Sequence, residues 1–421
     1  MSNQPYLSVV ASSRNDNHGG DMTRRMQIFV NGLIEQCRRH QIETELILVE
    51  WNPPVDRCKL AEELTWNLDD SPLTVRIIEV PPELHATYNH AKALPLFQMI
   101  AKNVGIRRAK GAYVVATNVD LLFSDELCQF IASKQLKPHV SYRVDRYDVE
   151  SHVPLEAGIE EQLHFCETHL LRINGRQGIQ EFPPPSTIPT DLGQAEPIEP
   201  SEPIVPWYHQ LSEPTVSKLK SVRRVYKALL PKFVRDRLLD QLSPGMTQWL
   251  IDKGLLQEQP APLVEATQAD EGAIEDEYPP LHTYACGDFT LLAKDDWIAL
   301  RGYPEWQIYS LHIDSVFLYM AHYAGIEEVV LNDFDPRMRT YHMEHGNGWT
   351  PDAERTQSLA KRLASMGIPQ LSYEQLLALA KLMQQTEKPL IVNDETWGLG
   401  ATELPETVIS STTSWSQATI G

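Results

Sequence analysis

Residues 103–124, NVGIRRAKGAYVVATNVDLLFS, decide how the rest of the chain reads. A helix carrying Asn103, Gly105, Arg107 and Arg108 leads through Gly111 into the apolar run YVVAT, which stops at Asn118-Val119-Asp120. A buried strand that ends in a lone carboxylate is a place to hold a metal ion. Hard divalent cations want oxygen ligands and often take only one or two carboxylates together with substrate phosphates. Side chains alternate along an extended segment, so Asn118 and Asp120 point to the same side. The plain alternative for Asp120 is an aspartate that caps a turn or helix.

Outward from this stretch, residues 6–11, 45–50, 75–80 and 112–117 read as strands, and 22–39 and 92–108 as helices. In the first helix Met22, Met26, Phe29, Val30, Leu33, Ile34 and Cys37 fall on one stripe. The alternation predicts an α/β fold, a mixed, mostly parallel sheet flanked by helices. Ligands of such sheets sit beyond the carboxyl ends of the strands. Ser13-Arg14-Asn15-Asp16 falls there: Arg14 suits a phosphate, and Asn15 or Asp16 a base or ribose. His18-Gly19-Gly20-Asp21 lets backbone approach a ligand. Glu50 holds the matching place after the second strand, where a carboxylate takes ribose hydroxyls. Arg107 and Arg108 either face phosphates or are cations favoured at a helix C-terminus.

Composition shifts near residue 150. Residues 181–214 are dense in proline, 259–280 carry six acidic and no basic side chains, and 216–256 read as helical. Within the last, VSKLKSVRRVYKALLPKFVRDRLL is basic and amphipathic, with Pro231 breaking or kinking it. The expected division is therefore 1–150 and 281–350 as the two halves of one α/β domain, 151–280 as a helical and irregular insertion, and 351–421 as C-terminal helices and a loosely held tail. The basic segment 216–238 suits either an anionic membrane surface or packing on the chain's own core. Order resumes with ACGDFTLLAKDDWIALRGYPEW, then LHIDSVFLYMAHYAG and YHMEHGNGW. Asp314 sits at the start of an apolar helical face, as an N-cap or as a general base for an acceptor hydroxyl. His342 and His345 flank Glu344; the spacing is not that of a zinc protease, but imidazole can complete a metal site.

With 421 residues, 42% hydrophobic and 22% charged, the chain reads as soluble and globular. A net charge of -20 and a pI near 5.1 argue against a nucleic-acid binder. Cys37, Cys58, Cys128, Cys166 and Cys286 are scattered without zinc-finger spacing, as free thiols in a reducing compartment would be. The start MSNQPYLSVV has no signal-peptide pattern, and no apolar run nears the ~20 residues of a membrane span. The expected location is the cytoplasm, with peripheral contact at the inner face of a membrane through 216–238.

Taken in order, these segments resemble a nucleotide-sugar glycosyltransferase of the GT-A fold, close to glycosyltransferase family two, over residues 7–125 and 284–350. NVGIRRAKGAYVVATNVD is similar to that family's N-x-G, A-x-G and D-x-D stretch, with Asn118 in place of the first aspartate. The resemblance implies that Asp120 binds a divalent cation, Mn2+ or Mg2+, helped by His342 or His345. It implies that Arg14, Asn15, Asp16, Glu50, Asn103, Arg107, Arg108 and Asn118 meet the nucleotide sugar. Gly287, Asp288 and Glu305 would lie on the acceptor side, with Asp314 as catalytic base of an inverting transfer to a glycan or lipid-linked acceptor, as in polysaccharide biosynthesis. The competing readings are a sugar nucleotidyltransferase, which should carry a lysine in its first glycine-rich loop, and a non-catalytic nucleotide-sugar-binding protein.

Overall fold

The first strand is buried along its whole length, so its odd and even residues serve two different cores. The computed structural model describes residues 4–183, 278–345 and 349–410. The first half runs β1 (Leu7–Ser13), α1 (Met22–His40), β2 (Thr44–Trp51), α2 (Leu60–Glu63), β3 (Leu73–Val80), α3 (Pro82–His85), α4 (Gln98–Arg108) and β4 (Tyr113–Thr117). It continues with β5 (Leu121–Phe123), α5 (Asp125–Ala132), β6 (Val140–Arg143), β7 (Arg146–Val149), α6 (Ile159–Thr168), β8 (Leu170–Gly175) and β9 (Gly178–Glu181). The second half runs β10 (Phe289–Ala293), α7 (Lys294–Leu300), α8 (Ile313–Tyr323), β11 (Glu327–Val330), β12 (Thr340–Met343), α9 (Asp352–Ser365), α10 (Tyr373–Thr386) and β13 (Glu406–Ile409).

Eight strands form the main sheet in the order β11-β6-β10-β4-β1-β2-β3-β13. β1 pairs in parallel with β2 and β4, and β2 with β3, whereas β10 and β13 run antiparallel to their neighbours. Val9, Ala11, Leu46 and Leu48 face α1 and α5 on one side. Val10, Ile47 and Val49 face α4, α7 and α8 on the other. The protein is thus α/β, with mixed sheets flanked by helices and a Rossmann-like parallel core. A second sheet, β5-β12-β7-β8-β9, stands past the end of β4.

Three expectations change. One unit runs to Ile188 and resumes at Glu275, so the boundary expected near 150 lies later in the chain, while the one expected near 280 stays close to its place. Residues 151–183 supply α6, β8 and β9, and β8 pairs antiparallel with β7, so they complete the second sheet. Leu170 and Phe165 pack on its apolar cluster, which Ile28 of α1 and Leu122 of β5 share. The remainder, with the basic segment 216–238, lies outside the described residues. Of the tail beyond 402, residues 403–410 are held: β13 pairs with β3 at the sheet edge, and Glu406 receives Arg76 Nε at 2.7 Å; the rest of that tail lies outside the described residues. Finally, α4 starts at Gln98 rather than Lys92, because Pro95 disfavours helical backbone at the residue before it.

Two glycines of the opening stretch are packing devices. A Cβ on Gly105 would stand 2.5 Å from Val10 Cγ1 and close to Val49 and Ile47, so the glycine lets α4 lie directly on the sheet. One on Gly111 would meet the Leu7–Ser8 backbone at 2.6–2.7 Å. Gly105→Ala is therefore expected to lower the unfolding free energy by about 1–3 kcal/mol in urea titrations, the usual cost of overpacking. An unchanged midpoint would show that α4 shifts without cost.

Candidate metal centre

Asp120 reaches its place because the chain turns after β4 and enters β5, the edge of the second sheet. β5 pairs with β12, which also pairs with β7, so His342 stands opposite both Leu121 and Asp148. The Met343 N–H donates to the Asp120 carbonyl at 3.1 Å and fixes that register. The result is a cluster in which one ligand atom each from Asp120, His342 and His345 lies within 4.8 Å of the others. Both imidazole Nε2 atoms are 3.7 Å from Asp120 Oδ2. Either histidine alone would have met the sequence expectation; the fold brings both.

Behind the ligands, Asp148 Oδ1 lies 3.1 Å from His342 Nδ1. That contact places the proton on Nδ1 and turns Nε2 toward Asp120, the carboxylate support typical of metal-binding histidines. Asp148 is held in turn by Arg146 Nε at 2.8 Å, Arg172 Nη1 at 3.2 Å and Asn174 Nδ2 at 3.2 Å. Arg172 also donates to Glu344 at 2.5 Å. Two imidazoles, one carboxylate and an ordered outer layer fit a divalent cation.

The charges agree with that fit. Burial opposes ionisation of Asp120, yet His342, His345 and Arg25 together hold its pKa well below the usual carboxylate range. Burial likewise opposes a charged His342, but Asp120 and Asp148 outweigh it and raise its pKa to about 10. Burial, and then the positive His342, lowers His345 to about 4. A metal held here would need both rings neutral, so its binding would be linked to loss of a proton from His342.

Arg25 had no place among the expected site residues. It is 2% exposed and donates to Asp120 Oδ2 at 2.6 Å. Its sequence signal was present: an arginine at the spacing of Met22, Met26 and Phe29 lies on the buried stripe of α1.

Asn118, Asp288, Gly287 and Lys102 form one polar set beside this centre. Asp288 accepts from Asn118 Nδ2 and from Arg146 Nη1, the latter at 2.5 Å. Asn118 Oδ1 accepts from Gln98 at 2.8 Å, and Gln98 accepts from Ser310 at 2.9 Å. Asn118 is therefore a bracket between β4 and β10, with both ends of its amide engaged. Lys102, 0% exposed on α4, donates to the Gly287 carbonyl at 2.6 Å. Burial lowers its pKa to about 8 against the pull of Asp288, Asp314 and Asp120. A Cβ on Gly287 would lie 2.8 Å from Asp314 Oδ2, so Asp314 packs against the same segment, in the first turn of α8.

Four expected residues serve the scaffold instead. Asn103 is buried with its amide spent on Tyr303 and Glu305, and Glu305 also accepts from the Gly398 N–H at 2.7 Å. Arg107 stacks over Trp397, and Arg108 donates to the carbonyls of Gly398, Leu399 and Thr402. The physical reason is direction: α4 returns the chain to the start of β4, so its C-terminal residues lie at the opposite end of that strand from Asp120.

The first-strand loop does sit at the carboxyl end. Arg14 there donates to the Asn52 carbonyl at 2.7 Å and to Asp16 at 2.9 Å, and Asn15 donates to the Cys58 carbonyl at 2.9 Å. Glu50 accepts from the Leu60 N–H at 3.0 Å, and burial raises its pKa to about 7. A carboxyl whose pKa is higher folded than unfolded retains its proton in the native state between those two values, so stability falls as pH rises from about 4.5 to 7 and stays lower above. Glu50→Gln should remove that slope and be more stable than the parent at pH 8, by up to about 3 kcal/mol, with no difference near pH 4. Denaturant titrations across this range check it; a pH-independent difference would rule it out.

No family model matches the chain, and no curated protein matches it significantly. Among the described residues no helix is long and apolar enough to cross a membrane.

Proposed function

We propose that this protein is a GT-A-type glycosyltransferase, moving a sugar from a nucleoside-diphosphate sugar to an acceptor hydroxyl with inversion. The observation that carries the reading is the Asp120–His342–His345 cluster at the end of a Rossmann-like strand, with Asn118 joined to the Gly287–Asp288 segment against which Asp314 packs.

In this reading Asp120, His342 and His345 would hold a divalent cation, which would supply positive charge against the leaving diphosphate. Two imidazoles in the donor set favour Mn2+ over Mg2+, which prefers oxygen ligands and bound water. Arg14, with Asn15 and Asp16, lines the loop after β1, where the nucleotide of such sheets binds. Lys102 fixes the Gly287 carbonyl and so the wall shared by donor and acceptor. Asp314 takes the proton of the acceptor hydroxyl, whose oxygen attacks the anomeric carbon from the face opposite the leaving group. The acceptor is a glycan or a lipid-linked sugar.

A panel of nucleotide sugars with Mn2+, followed by measurement of nucleoside diphosphate release, tests the reading. One donor is expected to be turned over, with EDTA abolishing the release and Mn2+ restoring it. Thermal shifts with a donor but no turnover would favour a binding protein. Pyrophosphate release from a nucleoside triphosphate and a sugar phosphate would favour a nucleotidyltransferase.

A further inference from the structure

Asp120 Oδ2 is the atom on which three groups converge: Arg25 Nη1 at 2.6 Å and the Nε2 atoms of His342 and His345, each at 3.7 Å. The nearest of the three is already a cation. A metal at this carboxylate would bring a second positive charge to an oxygen that already accepts from the guanidinium at 2.6 Å. A guanidinium keeps its charge in proteins, so it cannot yield by losing a proton and can relieve that repulsion only by moving.

Its remaining donors decide what moves with it. Arg25 Nη2 donates to the His18 carbonyl at 2.5 Å and to the Gly20 carbonyl at 3.1 Å. Those carbonyls belong to the loop between β1 and α1, where Asn17, Gly19, Gly20 and Asp21 all have positive φ. The loop also touches a metal ligand directly. A Cβ on Gly19 would stand 2.4 Å from His345 Nδ1 and 3.1 Å from Arg25 Nη2, and the rings of His18 and His345 are 6.0 Å apart. Loop, guanidinium and ligand therefore form one contact unit.

We infer that Arg25 is a tethered cation at this centre: it occupies the Asp120 carboxylate until a divalent cation displaces it, and the displacement releases loop 17–21. Metal binding and loop conformation are then linked, and the linkage is reciprocal. The freed guanidinium, a planar group with five donors, lies beside the loop after β1, where a phosphate of the donor would sit. Metal and donor diphosphate would consequently bind with positive cooperativity. The inference rests on the metal reading of the proposed function.

The test uses the full chain, with Mn2+ as the probe. Mn2+ affinity is measured by electron paramagnetic resonance for the parent protein and for Arg25→Gln, counting only the binding that is lost in His342→Ala. Hydrogen exchange of residues 17–21 is followed with and without Mn2+. Removing the competing cation should tighten Mn2+ binding at least tenfold. Mn2+ should raise loop exchange in the parent, whereas Arg25→Gln should exchange fast from the start and gain nothing further. Mn2+ binding by Arg25→Gln but not by the parent is the extreme form of the expected result. Equal or weaker affinity in the variant, or parent loop exchange unmoved by saturating Mn2+, overturns the inference and leaves metal-assisted transfer standing. Absence of Mn2+ binding in both proteins overturns the inference and the metal reading together. If Arg25→Gln does not fold, the exchange measurement on the parent decides alone.

Discussion

Replacing Asp120 by asparagine is expected to weaken Mn2+ binding more than 100-fold and to cut nucleoside diphosphate release by about 1,000-fold, as loss of a main electrostatic stabiliser does. The carboxylate is the only negative group of the three clustered ligands, and it faces Arg25, His342 and His345. No neighbour can replace it. Asn118 is neutral and engaged by Gln98 and Asp288, while Asp288 is taken by Asn118 and Arg146. The variant should also lose stability, because Arg25 stays buried without its counter-ion; breaking such a pair costs about 3–5 kcal/mol. His342 should titrate nearer its ordinary value, since Asp120 is the first of the groups that raise it. Activity above a tenth of the parent in a folded variant would remove Asp120 from the mechanism.

The parts of this site that were legible in the sequence are those set by local chemistry. YVVAT followed by Asn118-Val119-Asp120 could only be a strand with polar groups at its end, and β1 and β2 carry the same pattern. The convergence of both histidines was not legible. It depends on β12 lying between β5 and β7, a pairing between segments about 190 residues apart in the chain. Asp148 was hidden for the same reason: Arg146 and Asp148 alternate on β7, but the partner that gives them a role sits on β12. Arg25 was readable, since a charge on a buried stripe needs a partner, although nothing in α1 names Asp120 as that partner. Asn103, Arg107 and Arg108 misled because adjacency to the Asp120 strand in sequence is not adjacency to its carboxyl end. A helix that precedes a parallel strand delivers its last turn to the strand's beginning.

The acidic residues near the proposed acceptor wall can be ranked by what already holds them. Glu305 is taken by Asn103 and the Gly398 N–H, and Asp288 by Asn118 and Arg146. Asp314 accepts from the N–H of Ser315, its neighbour, at 2.9 Å and feels the Lys102 ammonium only through space. A general base needs a carboxylate that is not already paired with a charged donor, so in the proposed mechanism Asp314 is better placed than Asp288. Asp314→Asn preserves the size of the side chain and its contact with Gly287, yet removes the basic oxygen. The expected result is a fall in kcat of about 100- to 10,000-fold, the range spanned by general acid–base catalysis. Donor KM and Mn2+ affinity should change little, because Asp314 is not one of the metal-cluster residues. Slow hydrolysis of the donor by water should survive better than transfer, since water does not depend on the placement of the acceptor hydroxyl. The parent's product should carry the anomeric configuration opposite to that of its donor. A folded Asp314→Asn enzyme with near-parent kcat, or a parent product that retains the donor's configuration, would transfer the role of base to another group.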